Sequence, residues 1–418
     1  MPPESTLIEA RKGRPVHDAN ANVTKEVEEL DELFSEKTND NHGVVEALPQ
    51  KDETEFDISS IVKLLICAIA GILDGLAMEK GRVFEPSVIR HQFEFRSFVM
   101  MKMFLAAVSS GLLCLALMSI LPSTSQRFQL ARNSFIERFQ LKGYLSSAIG
   151  GALLGSGMMI AGGCPAGVLV QVGAGISSSV VTFMGCLFGA FLYGVSEPII
   201  TSLTKPTEPL KHKTFDGATN RRYFNLAVPF GLALIPLIAI LDFAIPWTQE
   251  VSTDVTSESG IFTSRAWAPY YAGALIGSLQ VPMVLFVSEN LGGSSSYCTM
   301  ASWTLPGDLL KQISPYLYRM RTGFKNWGMA TYVTTTVVGA LLSSVLAGSF
   351  GTTAGVSLHH AFIGGYTMIF GARLAGGCTS GHGLSGMGNL LLLSFAAIPA
   401  MFVGGSLTAA YMHMMNII

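Results

Sequence analysis

Two copies of a Gly-Gly-Cys motif are the part of this sequence best suited to chemistry. Residues 157–167 read GMMIAGGCPAG and residues 371–381 read GARLAGGCTSG, so six of eleven positions match at an offset of 214 residues. Packing between membrane helices accounts for repeated glycines, but it does not require the shared cysteine. We therefore interpret the pair as an internal repeat with a functional thiol in each copy.

Each motif predicts a break in one helix followed by the N-terminus of another. Paired glycines permit unusual backbone angles, proline suits the first helical turn, and Thr or Ser can cap a helix start. Unpaired N–H groups at such an end attract anions. The candidate substrate-contacting residues of the two breaks are Gly163, Cys164, Pro165, Gly377, Cys378, Thr379 and Ser380.

The thiols indicate the chemistry of the substrate. A neutral S–H group is a small, polarizable, weak hydrogen-bond donor, which can donate to a negatively charged sulfur atom. A thiolate would repel an anion. We therefore expect Cys164 and Cys378 to function mostly as protonated thiols.

Cys298 is a third candidate, because the segment GGSSSYCTM surrounds it with hydroxyl groups. An ordinary buried cysteine is the alternative. The 214-residue offset pairs Cys298 with Phe84, so the first half lacks this thiol. Cys67, Cys114 and Cys186 fall in apolar stretches and are assigned to packing. No CxxC pair or zinc-ligand spacing occurs, and the sequence predicts no metal and no cofactor.

Three ionisable residues within or near apolar stretches are weaker candidates. Arg373 precedes Cys378 by five residues and could hold an anion or anchor a helix at the membrane interface. His382 follows Cys378 by four residues. Asp74 is the residue placed deepest in a predicted span, where a charge is costly and often functional.

The composition places these motifs in a membrane. The 418 residues are 49% hydrophobic and only 13% charged, well below the roughly 25% charged residues of soluble domains. A crossing needs about 20 apolar residues. Nine stretches approach this length, of which the third and eighth are Gly-rich and predicted to be broken or re-entrant: 60–78, 98–121, 144–161, 178–198, 224–245, 266–290, 327–349, 355–375 and 389–413.

The charge distribution predicts topology. Residues 1–57 contain 15 of the 29 acidic and 6 of the 27 basic residues and are expected to form a disordered acidic tail, which could bind a partner. Basic residues concentrate in this tail and in the even-numbered loops. The positive-inside rule then predicts a cytoplasmic N-terminus, in a multi-pass protein that we expect in the cell (plasma) membrane.

The repeat predicts an all-α integral membrane protein with two inverted halves. Four spans precede the fifth and four follow it, so an odd connector turns the second half upside down, as in many transporters. The predicted divisions are a first membrane repeat at 58–222, a connecting span and loop at 223–265, and a second membrane repeat at 266–418.

The motifs resemble those of the YeeE/YedE family of sulfur-transport proteins. The resemblance lies in AGGCPAG at 161–167, AGGCTSGHGLSGMG at 375–388 and EKGRVFEPSVIRHQFEFRSFVMMKMF at 79–104, and it extends over about 60–413. It implies an hourglass of helices in inverted halves that moves little while thiosulfate passes along S–H···S hydrogen bonds. That relay would use Cys164, Cys298 and Cys378, whereas Phe84 stands where the family often has a cysteine.

Two alternatives to thiosulfate transport remain open. One is transport of another sulfur or selenium species. The other is a membrane thiol enzyme, either a sulfurtransferase or a thiol–disulfide carrier, which would need an activated thiolate beside a base. No GxxxxGK[ST] motif is present, so any energy would have to come from a gradient or another subunit. No His or Lys immediately adjoins either Gly-Gly-Cys motif, and no CxxC pair occurs. These observations favour a transporter of a small sulfur anion over an enzyme.

Overall fold

The computed structural model describes residues 58–206, 210–251, 260 and 262–417, so the predicted acidic tail lies outside the described residues. Within them the chain is helical, apart from one isolated antiparallel bridge between Thr214 and Leu391. The first half contains α1 (Ile58–Lys80), α2 (Pro86–Phe93), α3 (Val99–Ile120), α4 (Pro122–Glu137), α5 (Tyr144–Ala161), α6 (Pro165–Gly173), α7 (Ser179–Thr204) and α8 (Phe215–Thr219).

The remainder begins with α9 (Tyr223–Ala244), which connects the halves. It continues with α10 (Trp247–Glu250), α11 (Pro269–Ser278), α12 (Gln280–Pro282), the π-helix π1 (Met283–Val287), α13 (Ser294–Ser302), α14 (Gly307–Ile313), α15 (Pro315–Arg321), α16 (Phe324–Leu346), α17 (Leu358–Ala375), the π-helix π2 (Thr379–Gly386) and α18 (Leu392–Met414).

Among the described residues, eight helical stretches are long and apolar enough to cross a membrane. They confirm an all-α membrane protein and correspond to eight of the nine predicted stretches. The remaining predicted stretch, at 355–375, does form helix α17 but is not among these eight. Its polar residues His359, His360 and Arg373 lower its hydropathy. The two Gly-rich stretches are each followed by a break, as predicted.

Glycines bring helices of opposite halves into backbone contact. A Cβ atom on Gly75 of α1 would lie 2.0 Å from the Thr336 carbonyl oxygen of α16. In the corresponding pair, a Cβ atom on Gly273 of α11 would lie 2.2 Å from the Met103 carbonyl oxygen of α3. Such approaches are possible only where small residues meet. The first membrane helix of each half therefore packs tightly on the second membrane helix of the other half.

The two helices that precede the Gly-Gly-Cys motifs run antiparallel. A Cβ atom on Gly150, early in α5, would lie 2.3 Å from the Ala375 nitrogen at the end of α17. A Cβ atom on Gly364, early in α17, would lie 2.4 Å from the Ala161 nitrogen at the end of α5. Because equivalent helices point in opposite directions, the halves are inverted relative to each other.

The packing partners are exchanged between the halves in the same way. Helix α5 packs on α17 and α18, and α17 packs on α5 and α7. Likewise, α1 packs on α16 and α3 packs on α11. The halves are thus interleaved around a common centre, which is where both motifs are found.

Candidate functional site

The first motif forms a capped break. Helix α5 ends at Ala161, and Gly162 adopts a left-handed conformation with φ of 64°, which favours glycine. Cys164 is the N-cap of α6, and its Sγ accepts a hydrogen bond of 3.2 Å from the Gly167 N–H. Pro165 occupies the first helical position, as predicted.

The second motif repeats this geometry with different details. Gly376 ends α17 with φ of 95°, and Cys378 is the N-cap of π2. The prediction that Thr379 or Ser380 would be the cap is therefore wrong, because both lie one position or more inside the helix. The Thr379 hydroxyl instead donates to Met158 Sδ at 3.3 Å, and the Ser380 hydroxyl lies 3.2 Å from Cys378 Sγ.

Polar side chains satisfy the carbonyl groups that the first break leaves unpaired. Arg90 donates to the Met159 and Ile160 carbonyl oxygens, and Gln171 donates to that of Gly162 at 2.8 Å. Such partners are needed because unpaired backbone groups are costly in a membrane. These side chains therefore stabilise the break as a regular part of the fold.

Carbonyl groups at the end of α17, just before the second break, contact the side chains of His382, Ser147 and Lys142. His382 Nε2 lies 3.1 Å from the Ala375 carbonyl oxygen, and its Nδ1 lies 3.0 Å from Ser394 Oγ. The Ser147 hydroxyl also donates to the Ala375 carbonyl oxygen. Both ring nitrogens of His382 thus contact protein atoms, and His382 lines none of the three described pockets.

The two motifs meet at a central cavity of about 100 Å³. Cys164 reaches it from the first motif, and Thr379 and Ser380 reach it from the second. Cys164 is 8% exposed. The other polar side chains that line the central cavity are Asp74, Tyr332 and Thr336, and most of the remaining wall is apolar.

Two larger pockets lie at opposite ends of α16. The Arg82 vestibule, of about 720 Å³, includes Gly348 and Ser349, which follow the end of α16. The Lys142 vestibule, of about 400 Å³, includes Lys325 and Asn326 at its start. The 23 residues of α16 span roughly 34 Å at about 1.5 Å per residue, which is close to the thickness of the hydrocarbon core.

Both vestibules carry an excess of basic side chains. The Lys142 vestibule is lined by five basic residues and one acidic residue, namely Arg138, Lys142, Arg319, Lys325, Arg373 and Glu197. The Arg82 vestibule is lined by two histidines, four arginines and two glutamates, namely His91, His413, Arg82, Arg90, Arg96, Arg265, Glu85 and Glu94. Each end of the molecule therefore favours anions electrostatically.

Cys378 lies where the central cavity and the Lys142 vestibule adjoin. Its neighbour Gly377 lines the vestibule, whereas Thr379 lines the central cavity. Cys378 itself is 1% exposed. Leu291 and Gly292 line both pockets. The two spaces are thus separated only by a thin wall that contains the second thiol.

Cys298 lies behind the wall of the Lys142 vestibule. It is fully buried in α13, and its thiol interacts electrostatically with Arg373 and Tyr316, which both line that vestibule. Arg373 Nη2 donates to the Tyr316 hydroxyl at 2.5 Å. Cys298 therefore lies beside Arg373, but Cys298 itself lines none of the three described pockets.

Lys142 contributes a positive charge to the Lys142 vestibule, and this charge depends on pH. Its Nζ donates to the Tyr193 hydroxyl at 2.9 Å and to the Arg373 carbonyl oxygen at 3.1 Å. Burial, and then the positive charge of Arg373, lower the pKa of Lys142 to about 8. The sequence pattern did not mark Lys142, because it looks like an ordinary basic residue in a loop.

The other three cysteines occupy packing positions. Cys67 and Cys186 are fully buried, and Cys114 is partly buried in α3. None of them lines the central cavity or either vestibule. Tyr332 and Thr336 were missed by sequence reasoning. Their spacing of four residues on α16 was the available signal, since it places both hydroxyls on one helical face.

Comparison with known proteins agrees with this architecture. The chain is 24% identical over 351 residues to a thiosulfate transporter, TsuA, of Escherichia coli (strain K12), covering 78% of this chain and 87% of that protein. It is 23% identical over 354 residues to a thiosulfate transporter, TsuA, of Spirochaeta thermophila, covering 82% and 97%. A probable transporter of Xylella fastidiosa is 26% identical over 150 residues, covering 36% of this chain and 96% of that protein.

The family assignment rests on a longer match. The family model described as "Sulphur transport" matches residues 80–407, which include both Gly-Gly-Cys motifs and most of the residues that line the central cavity and the two vestibules. A helical membrane fold with basic vestibules at both ends of a spanning helix is consistent with that match. This protein belongs to the sulphur transport family.

Proposed function

We propose that this protein transports thiosulfate across the membrane, through the Arg82 vestibule, the central cavity and the Lys142 vestibule. The observation that carries the proposal is the convergence of both motifs on one cavity, where Cys164 faces Thr379 and Ser380. The names of the two long relatives support thiosulfate as the substrate.

The chemistry of the path suits a small anion with a soft sulfur atom. Most of the wall of the central cavity is apolar, so its few polar groups must replace the water that an entering ion loses. The N-termini of α6 and π2 supply partial positive charge, and hydroxyl and thiol groups supply hydrogen-bond donors. At the Arg82 vestibule, Arg82 is ion-paired with Glu79 and Glu85, and Arg90, Arg96 and Arg265 supply further positive charge.

The thiols define a proposed order of contacts along the path. Cys164 would donate to the anion in the central cavity, and Cys378 would donate to it at the boundary with the Lys142 vestibule. Cys298 would enter the relay after a side-chain movement of Tyr316 or Arg373, since it lies behind them. The bonds are S–H···S hydrogen bonds, so no covalent bond to sulfur forms and no thiol is oxidised.

Radiolabelled thiosulfate uptake into proteoliposomes tests transport directly. An Ala166→Phe variant would fill the central cavity with an aromatic ring and should abolish uptake. Ala410→Phe is the matched control, because Ala410 is exposed on α18 and should retain wild-type uptake. Wild-type protein that gives no more uptake than protein-free vesicles would refute the proposal.

Competition then identifies the feature of the substrate that is recognised. Thiosulfate and sulfate carry the same charge, but only thiosulfate has a terminal soft sulfur. Unlabelled thiosulfate should suppress uptake, while sulfate at the same concentration should not. Equal suppression by sulfate would mean that helix ends alone select the anion. A lasting persulfide on Cys378 during turnover would favour a sulfurtransferase instead.

We also propose that the protein works in the plasma membrane with its N-terminus in the cytoplasm. The concentration of basic residues in the tail and the even-numbered loops supports this orientation. The Lys142 vestibule would then open to the cytoplasm, and the Arg82 vestibule to the outside. Cysteines introduced at residue 2 and at Gly307 can be labelled with a membrane-impermeant thiol reagent, before and after the cells are opened. In the proposed orientation both positions should be labelled only after opening.

A further inference from the structure

Asp74 is a buried acid that faces the central cavity. It lies in α1, is 4% exposed, and lines the same space as Cys164, Thr379 and Ser380. It is the only carboxylic acid among the described residues that line this cavity, and no basic side chain lines it. A carboxylate at this position would directly oppose an entering dianion.

The groups around Asp74 can serve both of its protonation states. Its carboxyl shares the central cavity with the hydroxyl-bearing side chains of Tyr332 and Thr336 on α16 and interacts with both. The Thr336 hydroxyl donates its own proton to the Tyr332 carbonyl oxygen at 3.0 Å, so its oxygen is left to accept from a protonated Asp74. The Tyr332 hydroxyl can donate to an ionised Asp74. Thr336 can therefore accept a hydrogen bond from protonated Asp74, and Tyr332 can donate one to ionised Asp74.

The charged groups of neighbouring elements do not neutralise Asp74. On its own helix, Lys80 bonds to the Ser264 carbonyl oxygen and pairs with Glu79. Lys63 lies near the opposite end of α1, over the ring of Phe324. Facing elements contribute the neutral groups Tyr332 from α16, Cys164 from the start of α6 and Thr379 from the start of π2. The described residues thus hold the carboxyl without a counter-charge.

We propose that a proton on Asp74 accompanies each thiosulfate ion through the central cavity, so that transport is coupled to protons. This inference rests on the proposed thiosulfate transport. When the central cavity is empty, Tyr332 supports the carboxylate. When the dianion enters, electrostatic repulsion in an apolar space favours the protonated acid, so Asp74 takes up one proton. The proton leaves when the anion leaves, and no other bond changes.

A proteoliposome assay tests the coupling. Vesicles contain a pH-sensitive dye, the membrane potential is clamped at zero, and labelled thiosulfate is added under a defined pH gradient. For one coupled proton, wild-type protein should accumulate thiosulfate about tenfold per pH unit on the alkaline side. Entry of thiosulfate should acidify the vesicle interior in equal amount.

An Asp74→Asn variant removes the titrating group while keeping the size of the side chain. It should equilibrate thiosulfate without accumulation and without internal acidification. Asp74→Glu keeps a titratable acid, so it should acidify the vesicle interior as the wild type does. Asp308→Asn is the matched control, because Asp308 is exposed on α14 and lines none of the three pockets.

A second measurement needs no variant. In weakly buffered detergent solution, addition of thiosulfate to the wild-type protein should remove about one proton per bound anion from the medium. Thiosulfate uptake without proton movement would overturn the coupling, and equal acidification by Asp74→Asn would overturn the role of Asp74; either result would leave transport standing. Absence of any uptake by the wild type would overturn both.

Discussion

The Cys164→Ala variant tests the thiol chemistry most directly. Among the described residues, Cys164 is the only thiol that lines the central cavity. If its S–H donates to an anionic sulfur, the lost hydrogen bond is one to a charged group, worth about 1.5–3 kcal/mol. By the tenfold-per-1.4 kcal/mol relation, uptake efficiency should fall by roughly 10- to 150-fold.

The same change has only a small structural cost. Cys164 Sγ also accepts the Gly167 N–H, and removal of an N-cap acceptor costs about 1 kcal/mol, with sulfur being a weak acceptor. A fluorescence-detected thermal unfolding curve should therefore shift little, while labelled thiosulfate uptake falls strongly. Cys164→Ser, which keeps a donor of similar shape but a hard one, should lie between the wild type and Cys164→Ala.

Cys186→Ala is the matched control for Cys164→Ala. Cys186 is fully buried in α7 and lines none of the three pockets. Its removal should lower stability through a small packing defect without a specific loss of uptake efficiency. Full uptake by Cys164→Ala at unchanged stability would refute the proposed thiol donor and leave the helix N-termini as the only anion contacts.

Three further predictions concern the scaffold and the Lys142 vestibule. Gly155→Ala should destabilise the protein by on the order of 3 kcal/mol, since the new Cβ would lie 1.8 Å from the Met401 carbonyl oxygen; thermal unfolding measures this, with Gly307→Ala as a control that should be tolerated. Uptake from the Lys142 side should decline as the pH rises through about 8, because Lys142 then loses its charge; Lys142→Arg should remove this part of the pH profile, and an unchanged profile would contradict the assignment. His382→Ala should lower thermal stability by about 2 kcal/mol through loss of its two contacts, and a selective loss of transport at full stability would instead place His382 in the path.

Local sequence rules were sufficient to predict the two breaks. The glycines, Pro165 and the repeated Cys predicted a helix end followed by a helix start, and the structure confirms both. The offset of 214 residues and the odd number of spans predicted the inversion that the antiparallel α5 and α17 confirm. These features depend on short-range conformational preferences and on chain topology, which the sequence carries directly.

Side-chain partners over long sequence distances could not be predicted in the same way. His382 contacts Ala375 and Ser394 because π2 folds back on the end of α17. The N-cap role fell to Cys378 rather than to Thr379, because the Thr379 hydroxyl turns to Met158 of the other half. Tyr332 and Thr336 reach Asp74 only through the packing of α16 on α1. Such pairings depend on tertiary contacts between the halves.

The interleaving of the halves limits how the path can open. Helix α5 touches α17 along its length and also contacts α18, with glycine backbones in direct contact at both interfaces. A rigid-body hinge motion of one half would have to separate these interfaces, in which the helix backbones are already in close contact. Under the proposed transport, rotation of a side chain such as Leu291, which lines both the central cavity and the Lys142 vestibule, would open the path while the interleaved helices stay in place.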